Sequence, residues 1–383
     1  MSWRAVRLGE LIDIKHGFAF KSKYFTDEGK YILLTPGNCH ETGGLKLKGD
    51  KEKYYSGEVP ADFLLAAGDL LVVMTDLVNT APILGGAFII PEDDRFLHNQ
   101  RLGLISLKDT SRIQKAFLYY LLNTKGYRAQ VRGSASGATV RHTSPDRIKQ
   151  CVVRVPNSLD EQSRIASILS AYDDLIENNR RRIQLLEQAA RLLYKEWFVH
   201  LRFPGHEHVT ITDGVPEGWE KKPLGEHVTL KYGKALKADS RVDGSYPVYG
   251  SSGIVGTHEK PFVKGPGIIV GRKGNVGSVY WSSCDFYPID TVYFIDADSS
   301  DFYLYHALAH MHFISTDVAV PGLNRDFAHS RNLLFPPEIL HREFLDAVSP
   351  MHQQMDKLNQ ANEKLRAARD LLLPRLMNGE ITV

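Results

Sequence analysis

The residues best suited to chemistry sit in short polar loops, and the chemistry they suit is recognition. His98-Asn99-Gln100-Arg101 places two side-chain amides beside an arginine. Such amides can pair with an adenine edge, and the arginine with guanine or a phosphate. The stretch Gly133-Ser134-Ala135-Ser136-Gly137-Ala138-Thr139-Val140-Arg141-His142 is polar and flexible, so its backbone could approach a phosphate closely. Three later loops share this character: Tyr249-Gly250-Ser251-Ser252-Gly253, Gly271-Arg272-Lys273-Gly274-Asn275 and Gly322-Leu323-Asn324-Arg325. The candidate DNA contacts in the first half are therefore Asn99, Gln100, Arg101, Ser134, Ser136, Thr139 and Arg141, with Lys21, Lys23, Asn38 and Thr75 beside them. In the second half they are Tyr249, Ser251, Ser252, Arg272, Lys273, Asn275, Asn324 and Arg325. For any one of these, a turn or a folded-core hydrogen bond is the competing reading.

Bond-making motifs are not found. Gly271, Gly274 and Gly277 follow an apolar run, but no helical pattern or βαβ unit surrounds them, which excludes dinucleotide binding. A P-loop lysine motif is absent. The tetrapeptide of an amino-methyltransferase is absent too, its nearest string being Phe335-Pro336-Pro337-Glu338. Asp290 and Asp296 lack the Glu-x-Lys that would complete a magnesium site. His306, His310 and His312 fall on one helical stretch without a partnered Cys, Asp or Glu pattern, and read as part of a partly exposed helix. No catalytic and no metal residues are expected.

These loops need a scaffold, and the chain supplies it twice. Trp3, Leu8, Gly9, Glu10, Lys15 and Gly17 recur as Trp219, Leu224, Gly225, Glu226, Lys231 and Gly233, all at one offset of 216 residues. Internal repetition of this kind sets the architecture before any finer reading. Each copy begins with short β-runs broken by Gly, Pro and Asn: Tyr31 to Pro36, Gly68 to Thr75 and Ala87 to Pro91, then Tyr246 to Tyr249, Gly267 to Gly271 and Val279 to Trp281. Short helices are expected at Arg112 to Leu122 and Phe302 to His310. The pattern predicts heads at 1–155 and 208–337, each followed by a helical segment, at 156–207 and 338–383.

In the first helical segment apolar positions step by four and three through Ile165, Leu169, Tyr172, Ile176, Asn179, Ile183, Leu186, Ala190, Leu193 and Trp197. That is a coiled-coil seam, and at 1.5 Å per residue it would span about 50 Å. The second seam runs Met351, Met355, Leu358, Asn362, Leu365, Arg369, Leu372 and Leu376, interrupted by Arg369. An antiparallel pairing with Asn179 opposite Asn362 would bring Trp197 near Phe344 and Ile165 near Leu376. A buried Asn pair would fix register at some cost in stability; asparagines at the seam edge, touching water, are the alternative. The expected scaffold residues are Ile176, Asn179, Ile183, Leu186, Trp197, Met355, Asn362 and Leu365.

Charge follows the same division. The chain of 383 residues has a net charge of only +2. Residues 1–155 nevertheless carry 22 Lys and Arg against 16 Asp and Glu, and residues 219–275 carry 10 against 5, while both helical segments are nearly neutral. Positive heads suit phosphates, and neutral rods suit protein. The three cysteines, Cys39, Cys151 and Cys284, have no CxxC spacing, so neither a disulfide framework nor a zinc site is expected. A polar start and the lack of a long apolar run point to a cytoplasmic protein without membrane contact.

Two strings resemble a known family. Ala166-Ser167-Ile168-Leu169-Ser170-Ala171-Tyr172-Asp173-Asp174-Leu175-Ile176-Glu177-Asn178-Asn179, continued by Leu192-Leu193-Tyr194-Lys195-Glu196-Trp197-Phe198, is similar to the central conserved region of type I restriction-modification specificity subunits. Leu371-Leu372-Leu373-Pro374-Arg375-Leu376-Met377-Asn378-Gly379-Glu380-Ile381 resembles their distal conserved region. With the repeated Trp-x4-Leu-Gly-Glu and Asn99-Gln100-Arg101, the likeness covers the whole chain. It implies an α+β fold: two α/β target recognition domains, mixed β-rich heads, joined by two long antiparallel coiled-coil helices with a pseudo-twofold internal repeat. It further implies a non-catalytic subunit that reads a bipartite target in double-stranded DNA, with the helices acting as a ruler. Two modification (methyltransferase) subunits would use S-adenosylmethionine to methylate adenine N6, and motor-nuclease restriction subunits would use ATP and Mg2+ to cleave unmodified DNA. Methylation requires the adenine to leave the stack, so the heads would also steady distorted DNA. A stand-alone bipartite DNA-binding regulator and a pure assembly scaffold remain the alternative readings.

Overall fold

The computed structural model describes residues 2–314 and 322–383, and at residue 50 the backbone alone. The chain forms two compact units, one of Met1–Glu177 with Glu363–Val383 and the other of Asn178–Asn362. Both long helices, Leu159–Tyr194 (the central helix) and Glu338–Met377 (the distal helix), are divided between the units. The sequence boundaries set heads apart from helices; packing instead joins each head to the helix stretches that cover its core.

In the first unit the strand Leu70–Val73 reads Leu-Leu-Val-Val, a continuous apolar run of the kind found where both faces of a sheet are covered. Its side chains alternate as a strand requires. Leu70 and Val72 enter a core with Ile12, Phe117, Ile165, Leu169 and Leu376, whereas Leu71 and Val73 enter another with Leu34, Phe88 and Phe96. The strand lies inside an antiparallel sheet ordered Ile12–His16, Leu102–Leu107, Leu70–Val73, Ala87–Ile89. A smaller sheet includes Tyr31–Leu33 running parallel to Phe96–Leu97. The short helices are Lys115–Leu122, Lys125–Gly133 and Pro145–Lys149.

The second unit repeats this plan. Its sheet is ordered Lys231–Tyr232, Val292–Ile295, Gly267–Gly271, Val279–Ser282, and Tyr246–Gly250 runs parallel to Tyr287–Pro288. The strand Gly267–Gly271 is again covered on both faces, with Ile268 and Val270 in one core and Ile269 in the other. Helices Phe302–His310 and Arg325–His329 stand where Lys115–Leu122 and Pro145–Lys149 stand in the first unit.

The repeated residues are those that close each head onto its helices. Antiparallel ribbons pair Trp3–Arg7 with Val152–Pro156 and Glu220–Pro223 with Asn332–Phe335. Directly after each first strand, Leu8 and Leu224 are fully buried, and their amides donate to the carbonyls of Cys151 and Arg331 at 3.0 and 2.8 Å. Gly17 and Gly233 have no room for a side chain: a Cβ would come within 2.1 Å of the Asn99 carbonyl oxygen and 2.0 Å of that of Ile289. Two chain crossings of this closeness, rather than turn geometry, keep glycine at both places.

Each unit holds an antiparallel stretch of the two long helices. In the second, Asn179 Nδ2 donates to Asn362 Oδ1 at 2.9 Å, and Trp197 lies 5.9 Å from Phe344 between ring centroids. Asn362 is buried and Asn179 half-buried, so the pair is neither sealed nor solvated. Ile176 and Met355 are buried, while Ile183, Leu186, Trp197 and Leu365 are half-buried. Arg369, the interruption in the seam, is neutralised in the first unit by Asp173 at 2.5 Å, whose other oxygen accepts from the Tyr120 hydroxyl at 2.8 Å. Its neighbour Asp370 takes two further bonds from the same guanidinium.

A second polar contact lies deeper. His306 and His352 face each other through Nε2 atoms 3.1 Å apart, and the Phe302 ring stacks on His352 at 3.9 Å. His306 is therefore a core residue rather than part of a partly exposed helix. Only one of the two Nε2 atoms can carry a proton. Burial pushes the His352 pKa down to about 4, and burial together with His352 and Arg191 lowers that of His306.

Two outcomes follow for stability. Replacing Asn362 alone by leucine strands the Asn179 amide and should lower stability by about 1 kcal/mol. Replacing both asparagines by leucine should raise the melting temperature, and an unchanged melt in both variants would show that the pair contributes neither cost nor register. For the histidines, the folded-state pKa lies below the unfolded value near 6.5, so their contribution is whole above pH ~6.5 and is lost as pH falls toward ~4. Urea unfolding across that range should show a loss on the order of 3 kcal/mol for each ring, about 6 kcal/mol for the two, that a His306→Phe, His352→Leu variant lacks.

Candidate nucleic-acid interface

The candidate loops come together because each central strand ends in a backbone junction. In the first unit Met74, just past the strand, donates its amide to the Arg101 carbonyl and accepts at its own carbonyl from Thr143, both at 2.9 Å. In the second, Arg272 donates to the Thr291 carbonyl at 2.9 Å and accepts from the Leu323 amide at 2.8 Å. Three segments far apart in sequence thus meet at one rim in each head. The loop 99–101 of the first corresponds to 289–291 of the second, and Thr143 to Leu323.

On the first rim Gln100 and Arg101 are exposed and Asn99 half-buried. Asn99 Oδ1 accepts from the Arg101 amide at 3.0 Å, and the chain is held against Phe18 by His98 carbonyl and Gln100 amide bonds of 2.8 and 3.0 Å. His98 itself points inward: it is fully buried, its Nε2 lies 2.9 Å from the Leu102 carbonyl, and burial pushes its pKa down to about 4. The ring is neutral and donates from Nε2. Phe18 is exposed beside this loop, its ring 5.1 Å from Phe20 and 5.2 Å from Phe63. Lys21 and Lys23 are exposed in the following turn, with Lys23 over the Tyr24 ring at 4.7 Å.

The loop 133–142 is less open than its composition implies. Ser134, Ser136 and Thr139 are exposed, but Ser134 donates to the Val131 carbonyl at 3.1 Å and Ser136 accepts from Arg147 at 3.0 Å. Arg141 is a correction: its guanidinium turns inward onto the carbonyls of Arg132, Ala135 and Gly137 at 2.9, 3.4 and 3.3 Å and shapes the loop from beneath. Thr75 is another. It is buried in the ribbon with His142, its hydroxyl 3.1 Å from Nδ1.

Asn38 departs furthest from a ligand-facing role. It is fully buried, accepts from the Thr35 amide at 2.9 Å and from Lys48 Nζ at 2.9 Å, and donates to the Lys46 carbonyl at 3.2 Å and the buried Glu52 carboxylate at 3.0 Å. Every polar atom of its side chain is engaged in holding this turn.

On the second rim Tyr249 is the correction. It is buried with Phe286 and Phe294, and its hydroxyl reaches the Trp281 carbonyl at 3.5 Å. Ser252 and Asn275 are exposed and joined by an Asn275 Nδ2 bond of 3.3 Å, while the carbonyl of half-buried Ser251 accepts from Ser278 and Tyr280 at 2.7 and 3.2 Å. Lys273 is exposed and bridged to Gly322. Asn324 is exposed but its Oδ1 caps the following helix, accepting from Asp326 and Phe327 at 2.8 and 3.1 Å. Arg272 and Arg325 converge on Tyr232, a residue that loop composition did not single out. Its signal was an aromatic inside the repeated Lys-x-Gly, where the first copy has His16; seeing its exposure needs the register Tyr232↔Tyr293.

Two heads of one plan, each presenting amide, hydroxyl and guanidinium groups on a rim and each closed onto antiparallel helices, define a duplicated recognition protein. The type I restriction modification DNA specificity domain matches residues 1–188 and 216–337, and the chain belongs to this family. It is similar to the type I restriction enzyme MjaIX specificity subunit of Methanocaldococcus jannaschii, 24% identical over 345 residues that make up 80% of this chain and 77% of that one. It is also similar to the EcoBI specificity subunit of Escherichia coli, 27% identical over 187 residues, 49% of this chain and 36% of that one. The crystal structure of a type I restriction-modification S subunit from M. genitalium shares its fold, with a TM-score of 0.59 and 19% identity over 98% of this chain and 96% of that one. The chain is accordingly a DNA-recognition specificity subunit. Among the described residues, no helix is long and apolar enough to cross a membrane, and no group of three or more His, Cys, Asp or Glu could hold a metal ion.

Asn38→Ala should destabilise the first unit by about 2 kcal/mol, because Glu52 is left buried without its amide partner, while the DNA sequence recognised stays the same. Denaturant unfolding together with a binding assay separates the two effects, and a changed target would return Asn38 to the interface.

Proposed function

We propose that this chain reads a split target in double-stranded DNA, one short half-site per head, and directs adenine-N6 methylation and restriction by partner subunits. The observation that carries this reading is the shared rim: the same backbone junction presents Asn99-Gln100-Arg101 in one head and Ile289-Asp290-Thr291 in the other. A common frame with different side chains suits two different half-sites. The chain performs no bond-making step of its own in this proposal. Two modification subunits would bring S-adenosylmethionine, and motor-nuclease subunits ATP and Mg2+, in the cytoplasm where the DNA lies.

Exchanging residues 1–155 for the corresponding head of another family member should change one half of the methylated motif and leave the other half intact. Sequencing native DNA for N6-methyladenine reads this directly. A motif altered in both halves, or unaltered, would refute the assignment of one half-site to each head.

A further inference from the structure

Tyr232 stands exposed on the second rim with two guanidinium groups over its ring, Arg272 at 5.0 Å and Arg325 at 5.2 Å from the centroid. Tyrosine faces hold arginine through the ring quadrupole and by stacking. The two arginines are not equivalent. Arg272 is committed to the protein: its Nη1 donates to the Asp290 carbonyl at 3.0 Å, and it also lies over Tyr293 at 5.8 Å. Arg325 has a looser contact, with Nε 4.0 Å from the exposed Asp326 carboxylate. The Arg325 side chain is 39% exposed, and its buried Nε has no hydrogen-bond partner.

Two cations share one ring, and one of them, Arg325, is part-exposed at the rim. We infer that Arg325 is a specificity-determining residue of the second head, reading the O6/N7 edge of a guanine with its terminal nitrogens, and that Tyr232 and Arg272 are positioning residues that hold it. This rests on the proposed reading of DNA by each head. A guanidinium fork can bind either a guanine edge or a phosphate bidentately, and the guanine edge is favoured here because another cation stands ready for the phosphate. A phosphate needs only charge, which exposed Lys273 supplies nearby. In the first head the junction residue Thr143 stands where Leu323 does, so Pro145 takes the place of Arg325. The first head therefore has no such reader at that point.

The test uses the assembled complex in its host, with N6-methyladenine sequencing, followed by binding of the purified complex to duplexes carrying the motif. Wild type should show a guanine in the half-site assigned to the second head. Arg325→Lys, which keeps the charge and loses the fork, should reduce discrimination at that base roughly 10- to 100-fold while the first half-site and the salt dependence of binding stay unchanged. Tyr232→Leu should relax the same base to a smaller extent. The inference is overturned if the second half-site has no guanine or if Arg325→Lys keeps the motif unaltered. It is equally overturned if Arg325→Lys weakens all sequences alike, the mark of a phosphate anchor. Failure of the underlying reading would look different: the wild-type chain would then direct methylation at no split motif.

Discussion

Each head depends on one strand that is buried on both faces and ends in a junction of three chain segments. Leu70–Val73 and Gly267–Gly271 have no solvent face, so a one-residue slip would exchange the contents of two cores at once. That constraint pins the end of the strand. The hydrogen bonds of Met74 and Arg272 then carry the pinning outward to loops that could not hold a position alone. Loops placed this way can vary in side chain without moving in backbone, which is what a reader of DNA sequence requires.

The helices are fixed by a different device. Their seams are not uniformly apolar; each unit contains polar contacts that are satisfied only in one register. Asn179 meets Asn362, and Arg369 meets Asp173, which also takes the Tyr120 hydroxyl. A leucine seam would tolerate sliding by a turn, whereas a misplaced Arg369 would leave a partly buried charge unpaired. The last of these contacts also ties the helical stretch to its head, since Tyr120 belongs to the helix Lys115–Leu122.

The repeat conserves frame and discards surface. Leu8 and Leu224 anchor the ribbon, and Gly17 and Gly233 sit beneath crossing carbonyls, because these are positions of close packing with little freedom. At the rim the side chains of the loop on the shared junction differ at every position: Asn99-Gln100-Arg101 corresponds to Ile289-Asp290-Thr291. Divergence concentrated where packing does not constrain it is the pattern expected of two half-sites read independently.

What the chain's sequence determined by itself was everything governed by period and repetition. The offset of 216 residues, the strands with unbroken apolar runs, the seam steps and the facing asparagines are local or regular signals, and they survive folding unchanged. The tertiary structure decided which polar side chains face outward. Asn38, Thr75, Arg141 and Tyr249 have the right chemistry for a ligand, yet protein partners absorb them: Glu52, His142 and the Trp281 carbonyl from other segments, and for Arg141 the carbonyls of its own loop. Tyr232 has the reverse history, an unremarked strand residue that pairing with Val292–Ile295 turns out to the surface between two arginines. Burial depends on what the rest of the chain stacks over a residue. A sequence fixes that through how loops fold back on themselves and through contacts between segments far apart in the chain, so residue type could nominate the site but not select its members.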